Sequence, residues 1–277
     1  MKFKNPFKIR RKSRFGRKYN LKRNFSDNMH KAYKTSLLRD EKPLPPNVNN
    51  STNMPPCWDQ GQWGTCYAHA IAGAVYFEEL MHTPSNVFMP SRLGIAYNAC
   101  VRQGESVVRE EDGIMSLYDA TIPVLNKGVF PESMLDYVSA NLNVVPSDTC
   151  IAEGLKHLGI GISSIDNTNL HDIKAALADG KVIIFGMVLY AQYESDQCMS
   201  DGQVSTPGWW TKKFFDPLGA HAQLIVGYDD KTETFLVRGS WNSTVADKGY
   251  FHIGYDYLTD PKLSFGFVVL DGIKTTA

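Results

Sequence analysis

One cysteine, one glutamine and one histidine in this chain stand among neighbours that would make them reactive. Cys66 follows the polar turn Asp59-Gln-Gly-Gln-Trp-Gly-Thr65 and opens an apolar run that continues through Leu80. Ala68, Ala70, Ala72 and Ala74 favour a helix there, and Ile71, Val75 and Leu80 recur at a spacing that gives it a buried face. A thiol at the start of a helix meets unpaired N–H groups and a partial positive charge, both of which favour the nucleophilic thiolate. The plain alternative is a small buried residue without chemistry, as most free cysteines are. Gln60 adds a side-chain amide to the same turn, six residues upstream. His221 lies 155 residues after Cys66, following Leu218-Gly-Ala and preceding the apolar stretch 222–228, which sets it at the edge of a strand. None of the other six histidines has such a neighbourhood. A thiol paired with an imidazole base and an amide donor is the composition of an acyl-transfer site.

Asp59-Gln60-Gly61 together with Gly64-Thr65-Cys66-Tyr67-Ala68 resembles the active-site segment of papain-like (cathepsin-type) cysteine peptidases. Trp63 stands where that family has a further cysteine, and Thr65 where it has a smaller residue. His221-Ala-Gln-Leu-Ile-Val-Gly-Tyr resembles the family's histidine strand. The resemblance implies Cys66 as nucleophile, His221 as base and Gln60 as oxyanion donor. It also implies a cysteine endopeptidase made as a zymogen, acting on peptides or proteins without cofactor or metal. Gly113 falls where the family pairs backbone with substrate, and Trp241 where a tryptophan shields the histidine, so both are expected at the substrate. One element departs from the pattern: Gly239 occupies the position of the asparagine that orients the histidine. Asn242, a water molecule or a lower activity would each accommodate that change. Loss of an orienting residue costs less than loss of nucleophile or base, so an active enzyme is expected.

These residues need two supports. Up to about residue 158 the chain has mainly helical texture: the run opened by Cys66, a second over 89–100 with Ser91 near its cap, and a third over 113–127 stopped by Gly128. Beyond residue 159, after a helix over 169–180, stretches 181–189, 222–228, 234–238, 249–253 and 265–269 are rich in β-branched and aromatic residues and are separated by turns. Helices followed by strands give an α+β fold. With the resemblance, the expected architecture has a helical lobe over 43–158, an antiparallel β-barrel-like lobe over 159–277 and an active-site cleft between them. Residues 43–56 form a proline-rich, extended lead-in that excludes helix.

The formal net charge of zero conceals an asymmetry. Eleven lysines and arginines precede the first acid, Asp27; with them removed from the total of 29, 18 cations face 29 acids. Residues 1–42 therefore read as a basic arm on an acidic body. Three functional readings compete: a pro-segment covering the cleft, a tail binding nucleic acid or another polyanion through residues 1–25, and a targeting sequence. A solvated extension is the bland one. Neither a secretory signal nor a membrane span is visible near the start, which leaves a cytosolic or virion-associated protein, or one of a lysosome-like compartment.

Of the remaining cysteines, the resemblance pairs Cys100 with Cys150 in a disulfide and assigns nothing to Cys57 and Cys198. Their wide spacing disfavours a zinc site. Two rivals to a peptidase remain: a silent binding protein on the same scaffold, favoured by Gly239, and a transferase or amidase that passes the acyl group to something other than water.

Overall fold

The computed structural model describes residues 8–9, 11–19, 21–22, 31–35, 43–104 and 115–275. Its helices are α1 (Cys66–His82), α2 (Arg92–Arg102), α3 (Leu117–Asn126), α4 (Asp148–Gly154), α5 (Leu170–Ala178), α6 (Asp196–Asp201), α7 (Trp209–Phe214) and α8 (Tyr255–Thr259). The strands are β1 (Lys31–Ala32), β2 (Asn47–Asn49), β3 (His157–Gly159), β4 (Ile162–Ser164), β5 (Ile183–Leu189) and β6 (Gln203–Val204). They continue with β7 (Gly219–Asp229), β8 (Thr234–Arg238), β9 (Tyr250–Gly254), β10 (Ser264–Leu270) and β11 (Ile273–Thr275).

Helix α1 is apolar around its whole circumference, and a helix of that kind has to be enclosed. Every residue from Cys66 to Val75 is buried. Helices α2 and α3 cover one side, with Ser91 and Ser116 accepting the first free N–H groups of each. The other side rests on β7, where Ala222, Leu224 and Val226 join the same apolar cluster. Gly73 lets the strand come close, since a Cβ there would stand 3.1 Å from Leu224 Cδ2. The opposite face of β7 contributes Ile225 and Tyr228 to a second core with Phe185, Phe235, Trp241 and Phe251. Two cores on the two faces of one long strand follow from its period of two, and the register shift between Ile225 and Gly227 brings Tyr228 to the same side as Ile225.

The sheet runs β1-β4-β10-β5-β7-β8-β9-β6, with β2 also paired to β7. Its centre is antiparallel, as expected, but the barrel-like closure is not formed. The path stays open, and both its end pairs, β1 with β4 and β6 with β9, are parallel. The lead-in is not wholly extended either. Ser51–Asn53 makes one 3-10 turn, begun by the Asn49 side chain accepting from the N–H of Ser51 at 2.9 Å, in a segment free of proline. Buried Arg238 ties this lead-in to β8 by donating to the carbonyls of Pro55 and Pro56. Strand β11 returns to pair with β3, so the last described strand is fastened beside the helical region.

Among the described residues all five cysteines are free thiols, so the expected Cys100–Cys150 bridge is absent. Cys100 lies on the inner face of α2 beside the Tyr67 hydroxyl, whereas the Cys150 sulfur points to Ser147 Oγ, 3.3 Å away, and the Met134 carbonyl. Among the described residues no helix is long and apolar enough to cross a membrane.

Candidate active site

Cys66 is the first residue of α1, as the sequence suggests. Its sulfur accepts a hydrogen bond from the backbone N–H of Ala222 at 3.3 Å, which brings the nucleophile turn against the β7 residue next to His221. Helix-end donors alone would lower the thiol pKa. Here the thiol is 1% exposed, and burial outweighs the N–H groups of Ala222, Tyr67 and Cys66 itself, pushing it up to about 11.

His221 is fully buried in β7 opposite Met187. Its ring lies edge-on to Tyr19, with centroids 5.6 Å apart, and 5.5 Å from the Trp241 ring. Among the described residues neither ring nitrogen has a hydrogen-bond partner, so the imidazole is not bonded to the thiol even though the N–H of the next residue is. Burial, reinforced by the positive charge of Arg17, pulls the imidazole down to about 3. Both groups are therefore neutral at pH 7 in this conformation.

The asparagine position explains itself sterically. A Cβ on Gly239 would sit 2.7 Å from the Phe251 ring and 3.0 Å from the carbonyl oxygen of Gly249. Asn242 does not substitute for it. Its side chain donates to Asp59 at 3.1 Å and accepts from the N–H of Thr244 at 2.7 Å, in a residue held at φ 61°.

Gln60 is buried, with its amide nitrogen donating to the Trp63 carbonyl at 2.7 Å and its oxygen accepting from Ser240 Oγ at 2.5 Å. Its backbone N–H reaches the Ser240 carbonyl at 2.9 Å, and the Tyr137 hydroxyl donates to the Gln60 carbonyl at 3.1 Å. The turn that carries Cys66 is thus laced to the segment that carries Trp241. Gly113 lies outside the described residues.

The basic arm lies over this site. Ile9 pairs with Phe215; the N–H of Leu21 reaches the Ala220 carbonyl at 3.2 Å, and the N–H of Ala220 reaches the Tyr19 carbonyl at 3.3 Å. Gly219, at φ 147°, permits the approach, because a Cβ there would come within 2.3 Å of the Tyr19 oxygen. Buried Glu194 holds the arm through three bonds: from Ser13 Oγ at 2.6 Å, from the N–H of Arg14 at 2.7 Å and from the Tyr19 hydroxyl. The described part of the arm is therefore packed on the body.

Residues 44–260 match the family described as papain family cysteine protease. The chain belongs to that family. It is 33% identical over 224 residues to an uncharacterized peptidase C1-like protein of Acanthamoeba polyphaga mimivirus, an alignment covering 78% of this chain and 69% of that one. Among solved structures it is similar to xylellain, a cysteine protease from Xylella fastidiosa, at 28% identity and a TM-score of 0.79, covering 97% of this chain and 99% of that one. It is also similar to digestive procathepsin L 3 of Tenebrio molitor larval midgut, at 17% identity and a TM-score of 0.64, over 86% and 75% of the two chains. The last likeness concerns fold, and it agrees with a two-lobe α+β papain-like arrangement. Sequence reading in the papain family's terms names Cys66, Gln60 and His221 as candidates and does not name Tyr19, Glu194 or Ser240, which pack or bond beside them here. No local motif marks those three; their partners are 175 to 180 residues away in the chain.

Proposed function

We propose that this chain is a cysteine endopeptidase held in a covered state by its own N-terminal arm. The observation that carries the reading is the sulfur of Cys66 at the start of α1, bonded to the N–H of the residue beside His221. When the arm leaves, water and a turned imidazole replace Tyr19, and the two neutral groups can exchange a proton to give thiolate and imidazolium. The thiolate attacks a peptide carbonyl. Negative charge forming on the carbonyl oxygen meets the Cys66 backbone N–H and the second hydrogen of the Gln60 amide, whose first is committed to Trp63. Ser240 and Trp63 fix that amide at both ends, so it needs no reorganisation when the charge appears. His221 then protonates the leaving amine and afterwards takes a proton from the water that releases the acyl group.

One observation favours a second reading, a silent binding protein: no side chain at 239 orients His221, and both its ring nitrogens are without partners. A single comparison separates the two. Full-length protein incubated near pH 5 with a fluorogenic peptide is expected to develop turnover, and Cys66→Ala to lose it by about 10⁴-fold or more. A wild type that neither turns over substrate nor takes up an epoxide thiol inhibitor at Cys66 would leave the silent reading standing.

A further inference from the structure

The arm shows what kind of segment the groove accepts. Three of its arginines, Arg11, Arg14 and Arg17, recur every third residue, and each guanidinium meets a different receptor on the body. Arg11 lies over the Phe215 ring at 4.6 Å, Arg14 pairs with Asp196 at 2.5 Å, and Arg17 lies over the Trp241 ring at 3.9 Å. The three are unequal. The Asp196 side chain is 93% exposed, so its pair with Arg14 contributes little by itself. Arg17 is different: it is partly buried, stacked on an enclosed indole, and feels the negative charges of Asp59 and Glu194. A stacked, desolvated guanidinium in the field of acids is recognised in a way that an ammonium group is not.

We propose that the face made by Trp241, Asp59 and Glu194, extended by Asp196 and Phe215, is a recognition site for arginine side chains, and that the substrates of this peptidase are arginine-rich proteins. The proposal rests on the reading of Cys66 and His221 as the catalytic pair. Trp241 packs on His221, the group that hands a proton to the leaving amine, so an arginine on Trp241 belongs to the leaving-amine side of the cleaved bond. The body's excess of acids over cations would draw such substrates in, as it draws the arm.

The test uses full-length protein with Cys66→Ala, to prevent cleavage, and Arg11→Ala, Arg14→Ala and Arg17→Ala, to loosen the resident arm. A fluorescent peptide with the sequence of residues 8–22 is titrated by anisotropy beside two controls, one with glutamine in place of Arg11, Arg14 and Arg17 and one with the same residues scrambled. Binding of the native-sequence peptide at least 10-fold tighter than both, reduced 10-fold or more by adding Glu194→Gln and Asp196→Asn, is the expected result. Equal binding of the scrambled peptide would assign the attraction to bulk charge and overturn the proposal, as would no binding at all. Because no bond is broken, this result is independent of whether Cys66 is a nucleophile. With Cys66 restored, the arm-loosened enzyme should cleave peptides carrying arginine just after the scissile bond at least 10-fold faster, in kcat/KM, than their alanine counterparts. Cleavage without that preference would overturn the arginine site while leaving the peptidase reading intact.

Discussion

At the scale of single residues, burial beneath the arm works against the reactivity that the proposed mechanism requires. A helix N-terminus favours thiolate, yet the loss of water around Cys66 dominates and its pKa rises to about 11, while that of His221 falls to about 3. These shifts have consequences for uncovering. In the covered state Cys66 and His221 hold one proton between them, on sulfur, and in the proposed thiolate–imidazolium pair they still hold one, on the ring, so uncovering takes up no net proton while that ion pair persists. On the alkaline side the uncovered pair loses its proton from the imidazolium while buried Cys66 keeps its own up to about 11, so rising pH in that range favours uncovering. An ordinary thiol reacts about 10-fold more slowly for each unit of acidification below its pKa. Here the rate at which an epoxide inhibitor labels Cys66 in the full chain should instead change by less than about 3-fold from pH 7.5 to pH 5, because the ion pair keeps the thiolate; a rate that falls about 10-fold per unit over that range would contradict the assignment.

At the scale of elements, α1 and β7 position both catalytic candidates, and they do so through packing and one buried charge pair. Glu78 on α1, 2% exposed, receives Lys181 at 2.9 Å from the residue that leads into β5. Removing the cation would leave an enclosed carboxylate with only His82, 3.2 Å away on the exposed side, as its partner, which costs more than the pair contributes. Lys181→Met is expected to lower the unfolding free energy by about 3 kcal/mol in chemical denaturation, and Glu78→Gln combined with Lys181→Met to recover most of it. Such elements were largely legible. Period and caps give α2 with Ser91, α5 within the expected 169–180 and β8 over residues 234–238, because in each case local preference and burial agree. The open sheet was not legible, since its end strands are two residues long each and their parallel pairing depends on distant partners. Nor was the fate of Cys100 and Cys150, which depends on which way two helices turn their sulfurs. The glycine at 239 could be read as a departure from pattern, but its reason, the ring of Phe251, is visible only once β8 and β9 are side by side.

At the scale of the whole molecule, an acidic body folds under its own basic strap. Charge asymmetry in the sequence anticipates that the two attract. It does not indicate that Tyr19 packs against both His221 and Trp241, or that Glu194 collects three hydrogen bonds from the arm. Each of those bonds goes to a charged acceptor, where a single loss costs about 1.5–3 kcal/mol. Full-length Glu194→Gln and Tyr19→Phe should accordingly show faster onset of peptide turnover than wild type, by about 10-fold each, with folding unchanged by circular dichroism. Onset at the wild-type rate in both would mean that this contact does not hold the arm.

The strap is also anchored farther along. Lys31 and Ala32 run parallel to Ser163 and Ser164 at the sheet's edge, and the Tyr33 hydroxyl donates to Asp179 at 2.5 Å. Scission anywhere between Lys22 and Pro43 would leave these anchors, or those of Tyr19 and Leu21, in place, so a nicked molecule would remain occupied by a severed fragment. Its awakening would then depend on how far the sample is diluted, with a lag that lengthens as fragment accumulates in a crowded preparation.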